Sequence, residues 1–122
     1  MTQEQKSVYK KSRIDAIGNI FNLIPKENPS IGYGISFMDE NKFSISASMY
    51  EGGLDQPARK KIAMDEAVSL VDHIVSILKE EYKKTMNETL NVDVQAEGAD
   101  VEKISVNNRF KLTYKKLYSI KP

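Results

Sequence analysis

The apolar positions of this chain follow two periodicities, and the switches between them divide it into six segments. Ile14, Ile17, Ile20, Phe21 and Ile24 recur at three- and four-residue steps, which predicts a helix over about residues 3–23. Ser12 and Asp15 form an S-x-x-D capping signal, which would start the ordered helix there and leave residues 1–12 as a loose basic arm. Otherwise Lys6, Lys10, Lys11 and Arg13 lie on its solvated continuation. Pro25 ends the helix and Pro29 keeps the next stretch extended.

Residues 31–50 alternate with period two. Ile31, Tyr33, Ile35 and Phe37 share one side of a strand, and Phe43, Ile45, Ala47 and Met49 share one side of the next. Their other sides carry Gly32, Gly34 and Ser36, and Ser44, Ser46 and Ser48. Asp39-Glu40-Asn41 supplies a turn, so the pair is a half-buried antiparallel hairpin. The small, uncharged outer side is open to cover by a surplus helix face or by a second copy of the chain.

Gly52-Gly53 interrupts the pattern, and Pro57 in a first turn opens a second helix. Met64, Val68, Val71, Val75, Leu78 and Tyr82 form its stripe, widened by Ala67, Leu70, Ile74 and Ile77. So wide a face implies two packing partners. From 58 to 84 such a helix is about 40 Å long, against about 26 Å for an eight-residue strand, so it is expected to project, bend or meet a partner. Asn87 is the expected end. Leu90, Val92, Val94 and Ala96 predict a third strand, Glu97-Gly98-Ala99-Asp100 a loop, and Asn107-Asn108 a turn or bend. Phe110, Leu112, Tyr114, Tyr118 and Ile120 share one side of a last strand. The order α-β-β-α-β-β predicts an α+β protein, an antiparallel sheet with two helices packed on one face, in a single domain over 1–122.

Composition narrows the chemistry. There are 122 residues with 18 basic and 17 acidic side chains, a net charge of +1, which argues against a strongly basic nucleic-acid module. Without cysteine there is no thiol nucleophile, disulfide or cysteine-bound metal. A single histidine, His73, argues against Ser-His-Asp chemistry and multi-histidine metal sites. No cofactor motif is present, Asp65-Glu66 and Glu80-Glu81 point to different helix sides, and no catalytic constellation emerges. No signal-peptide apolar core and no spanning segment is visible, so a soluble cytoplasmic protein is expected, with no membrane partner. Lysine outnumbers arginine 15 to 3, a coding bias of AT-rich bacterial or phage genes.

Charge is segregated near the end of the chain: residues 86–102 hold five acids and no base, residues 103–122 six bases and no acid. Paired as neighbouring strands, they would form cross-strand ion pairs.

Two candidate sites follow. Tyr50, Gly52 and Gly53 running into Arg59 and Lys60 resemble an anion or nucleotide cradle at a helix N-terminus. Basic groups there oppose the helix dipole, so either a bound anion or Glu51 and Asp55 must compensate. The alternative is nucleic-acid binding through Lys10, Lys11 and Arg13 on the first helix and Arg109, Lys111 and Lys115 on the last strand. Within that strand the bases and rings fall on opposite sides, whereas a stacking platform needs them together. The expected function is therefore a small non-catalytic binding protein, homo-oligomeric, that takes an anionic nucleotide-like ligand or a host protein and acts as a sequestering inhibitor. A structural part of a larger particle is a further alternative.

Overall fold

The computed structural model describes residues 3–25, 30–104 and 109–121, with side chains from Ser12 onward. The elements are α1 (Gln3–Leu23), β1 (Ile31–Asp39), β2 (Lys42–Glu51), α2 (Pro57–Met86), β3 (Val92–Ile104) and β4 (Arg109–Ile120). The four strands form one antiparallel sheet in the order β1-β2-β4-β3. This is the α+β architecture expected from the period changes.

Helix α1 is continuous from Gln3, so Ser12 and Asp15 lie inside it rather than at its start. From residue 3 onward the backbone follows the alternative reading of a continuing helix and not that of a loose arm, while the side chains of Lys6, Lys10 and Lys11 and the Asn107-Asn108 turn lie outside the described residues. The buried side of α1 is Ile17, Ile20, Phe21 and Ile24. It packs over β1: Phe21 meets Tyr33 edge-on at 5.5 Å between ring centroids, and the Tyr33 hydroxyl donates to the Ile24 carbonyl at 2.9 Å.

Helix α2 begins with Pro57, whose missing N–H is harmless in a first turn. It ends at Asn87, which takes the left-handed conformation (φ 55°) and returns its N–H to the Lys83 carbonyl at 3.0 Å. Its buried stripe runs from Ala63 through Ala67, Val71, Ile74 and Leu78 to Tyr82. That stripe spans about 29 Å, close to the roughly 33 Å reach of a ten-residue strand. The turns before the stripe carry the exposed Arg59, Lys60, Lys61 and Ile62. The stripe is wide because it meets both α1 and the sheet.

The core lies between the helices and one side of the sheet. Phe43, Ile45, Ala47 and Met49 of β2 and Leu112, Tyr114, Tyr118 and Ile120 of β4 form its floor. Leu54, from the loop after β2, is fully buried and closes one end. Burial of each such side chain stabilises the fold by about 1.5–3 kcal/mol.

Two expectations need correction. Glu97-Gly98-Ala99-Asp100 is not a loop but the middle of β3, a 13-residue strand paired with β4 from Val92↔Ile120 to Ile104↔Arg109. A register shift between Val94 and Ala96 absorbs an extra residue and moves the core-facing positions from Val92 and Val94 to Ala99 and Val101. Helix α2 also does not cover the glycine and serine side of the hairpin, because it packs on the opposite side with Ile45 and Leu112.

Candidate functional site

Pairing register lays out the side of the sheet away from the helices as successive rows. One row reads Gly32, Ser48, Thr113, Asp100 from β1 to β3; the next reads Gly34, Ser46, Lys115, Gly98; the next Ser36, Ser44, Leu117, Ala96. At the other end Tyr50 of β2 lies beside Lys111 of β4, and Lys111 beside Glu102 of β3. The rows consist mostly of residues with little or no side chain, so the backbone lies close to the surface.

This side is hollow. Met38 on β1 and Ala96, Gly98 and Asp100 on β3 line a single open trough of about 560 Å³, floored by Thr113, Lys115 and Leu117. The volume is within the range of small-ligand sites, roughly 300–1,000 Å³. Lys115 stands in the trough with Ser46 and Gly98 as its cross-strand neighbours. It is exposed and makes no ion pair among the described residues. The nearest acid on this side of β3 is Asp100, in the adjoining row.

Beyond the trough, the next row of the same sheet side brings together residues from both sequence-derived candidates. Tyr50 is half exposed, the Lys111 ammonium lies 5.6 Å from its ring centroid, and Arg109 donates to its carbonyl at 3.0 Å. Bases and rings of β4 segregate only in part: Lys111 and Lys115 face away from the buried Tyr114 and Tyr118, whereas Lys116 lies on the ring side with its Nζ 5.9 Å from the Tyr118 ring centroid. The exposed ring comes instead from the neighbouring strand.

The helix-terminus candidate has an internal charge balance. Arg59 clamps Glu51 with both Nε (2.8 Å) and a terminal nitrogen (2.6 Å), so Glu51 supplies the compensation that its place near the helix start requires. Gly53 adopts φ +81° to turn β2 into α2, and its carbonyl accepts the Gln56 N–H at 3.0 Å. Lys60 is exposed one turn into the helix. Arg13 is buried in the helix layer, donating to the Lys121 carbonyl at 3.4 Å. It therefore shares no surface with Arg109, Lys111 and Lys115.

On the helix side a polar seam joins α2 to β3 and β4. The Tyr114 hydroxyl donates to Glu97 at 2.7 Å, and Lys116 pairs with Asp72 at 3.1 Å rather than with Glu97 across the strand. Lys121 pairs with Asp93 at 3.1 Å. Burial, helped by the charges of Asp72 and Glu97, pushes the Tyr118 phenol up to about 12. Burial, the Glu97 hydrogen bond and the same charges raise Tyr114 as well. Among the described residues no group of three or more His, Asp or Glu is placed to hold a metal ion, and no helix is long and apolar enough to cross a membrane. His73 is exposed on α2.

Sequence reasoning missed Met38, Ala96, Gly98, Asp100, Thr113 and Leu117 as trough residues. The change of apolar phase from Val92 and Val94 to Ala99 and Val101 was the available signal that the strand continues past a bulge. Fold and surface together define an α+β protein with helices on one side of its sheet and a hollow, small-residue surface on the other. Comparison with protein-family models, curated proteins and solved structures gives no match to this chain.

Proposed function

We propose that this is a non-catalytic binding protein that holds a small anionic ligand, nucleotide-like in chemistry, in the trough on the uncovered side of the sheet. The observation that carries this reading is Lys115, a cation with no ion pair among the described residues, in a trough lined by Ala96, Gly98, Thr113 and Leu117. Gly98 and Ala96 beside the floor of Thr113, Lys115 and Leu117 leave room for a flat ligand body to lie close to the β3 backbone. Lys115 then neutralises its anionic group, and Lys111 with the Tyr50 ring lies on the same sheet side beyond the trough. Asp100 and Glu102 border the same surface on β3, and their charge opposes the extended phosphate backbone of a long nucleic acid. Asp100 and Glu97 also line the trough, so a compact anion centred on Lys115 meets two acids, whereas a polymer running on along β3 meets Glu102 as well, which favours a small ligand.

The test is calorimetric titration of the purified chain with a panel of mono- and dinucleotides and with a single-stranded oligonucleotide. Native mass spectrometry of the protein as isolated adds any ligand carried from the cell. Lys115→Glu is expected to weaken nucleotide binding more than tenfold, and Lys60→Glu to leave it unchanged. Binding that ignores Lys115→Glu but is lost in Lys60→Glu moves the site to the start of α2. Binding confined to the oligonucleotide, with a steep fall in salt, replaces the small-ligand reading with nucleic-acid recognition.

A further inference from the structure

The two edges of the sheet are chemically unlike. A free strand edge presents unpaired N–H and C=O groups and templates pairing with another chain unless charge, proline or a bulge prevents it. β3 carries these protections: Asp93, Glu97, Asp100, Glu102 and Lys103 along its length and the irregularity at Val94/Ala96. β1 carries none before its end. From Ile31 to Met38 it has eight consecutive uncharged residues, with no proline and a regular register up to Phe37; its single charge is Asp39. Tyr33 and Ile35 are only half-buried although they face the helix layer, and Phe37 and Met38 are exposed.

We infer that β1 pairs antiparallel with β1 of a second copy across a two-fold axis at Gly34, giving one continuous eight-stranded sheet. The strand is self-complementary in this arrangement. Pairing odd with odd positions keeps Tyr33, Ile35 and Phe37 of both copies on the helix side, and Gly32, Gly34 and Ser36 on the trough side. No like charges meet along Ile31–Met38, and the half-buried Tyr33 and Ile35 gain apolar neighbours. Pairing of β1 with β3 of another copy would propagate without closing, but the charges and the bulge of β3 oppose it. The assembly is thus a closed dimer rather than a fibre. The inference does not depend on what the trough binds.

Light scattering coupled to size exclusion tests it. The wild-type chain is expected at twice its 13.8 kDa mass. Gly34→Lys places a charge at the two-fold on an exposed strand. A Cβ there meets nothing nearer than Ser46 Oγ at 3.9 Å, so the fold accommodates it. This variant is expected to be a folded monomer by circular dichroism, whereas Gln95→Lys on the β3 edge remains dimeric. Hydrogen exchange on the wild type provides a reading independent of any variant: amides along the whole of β1 are protected as those of the interior strand β2 are. A monomeric wild type, a dimeric Gly34→Lys, or alternate β1 amides exchanging freely each overturns the inference.

Discussion

Tyr114 illustrates how a buried polar atom is accommodated at the level of one residue. Its ring is 2% exposed, and its hydroxyl reaches Glu97 at 2.7 Å. A buried hydroxyl without an acceptor costs about 1–3 kcal/mol, whereas a formed hydrogen bond contributes only about 0.5–1.5 kcal/mol net. The two partners are not equivalent, because Glu97 lies on the edge strand and is itself exposed. Tyr114→Phe leaves a carboxylate that water can solvate. Glu97→Ala leaves a phenol that water reaches poorly. Urea unfolding should therefore show a loss of about 1 kcal/mol for Tyr114→Phe and a larger one for Glu97→Ala. The opposite order would mean that the phenol has another acceptor in solution.

At the level of elements, α2 owes its sharp end to a residue rather than to a break in its apolar stripe. Asn87 occupies the left-handed region, where a β-branched side chain crowds the following carbonyl. Asn87→Val is expected to cost about 1–2 kcal/mol, and Asn87→Gly to fall within about 0.5 kcal/mol of wild type, as measured by thermal and urea unfolding. Equal effects would place the cost in a lost side-chain contact instead. α2 and the hairpin were legible in the sequence because their patterns repeat over many residues, whereas the end of α2 was poorly marked and rested on Asn87 as a residue type that tolerates the left-handed conformation. β3 was not legible. One inserted residue reverses the phase of its apolar positions, and Glu97-Gly98-Ala99-Asp100 has the composition of a turn. Only pairing with Lys116, Lys115, Tyr114 and Thr113 makes it a strand, and that partner lies across the hairpin. Local pattern carries no record of such pairing.

At the scale of the molecule, the candidate site was half legible for the same reason. Gly32, Gly34, Ser44, Ser46 and Ser48 stood out as a small-residue surface, but Gly98 and Asp100, which continue its rows across β4, fell in the supposed loop. The wide stripe of α2 also suggested a cover that the fold gives to α1 and the core instead. The layered arrangement has a global consequence at high pH. Tyr114 and Tyr118 lie between α2 and the sheet, and both resist ionisation there, Tyr118 up to about 12. In the unfolded chain a phenol ionises near pH 10. Above about pH 10 the folded chain therefore binds more protons than the unfolded one, and stability must fall as pH rises. This contribution is intact below about pH 10 and is lost progressively toward pH 12 and beyond. Urea midpoints should be flat with respect to these groups from neutral pH to about pH 10 and then drop, with phenolate absorbance from the buried tyrosines appearing together with unfolding. Tyr118→Phe removes one of the two phenols while keeping the ring that stacks on Phe43. It should be measurably less sensitive to alkali than wild type. If both lose stability in parallel above pH 10, the alkaline transition belongs to the lysines, and the phenols between the layers do not drive it.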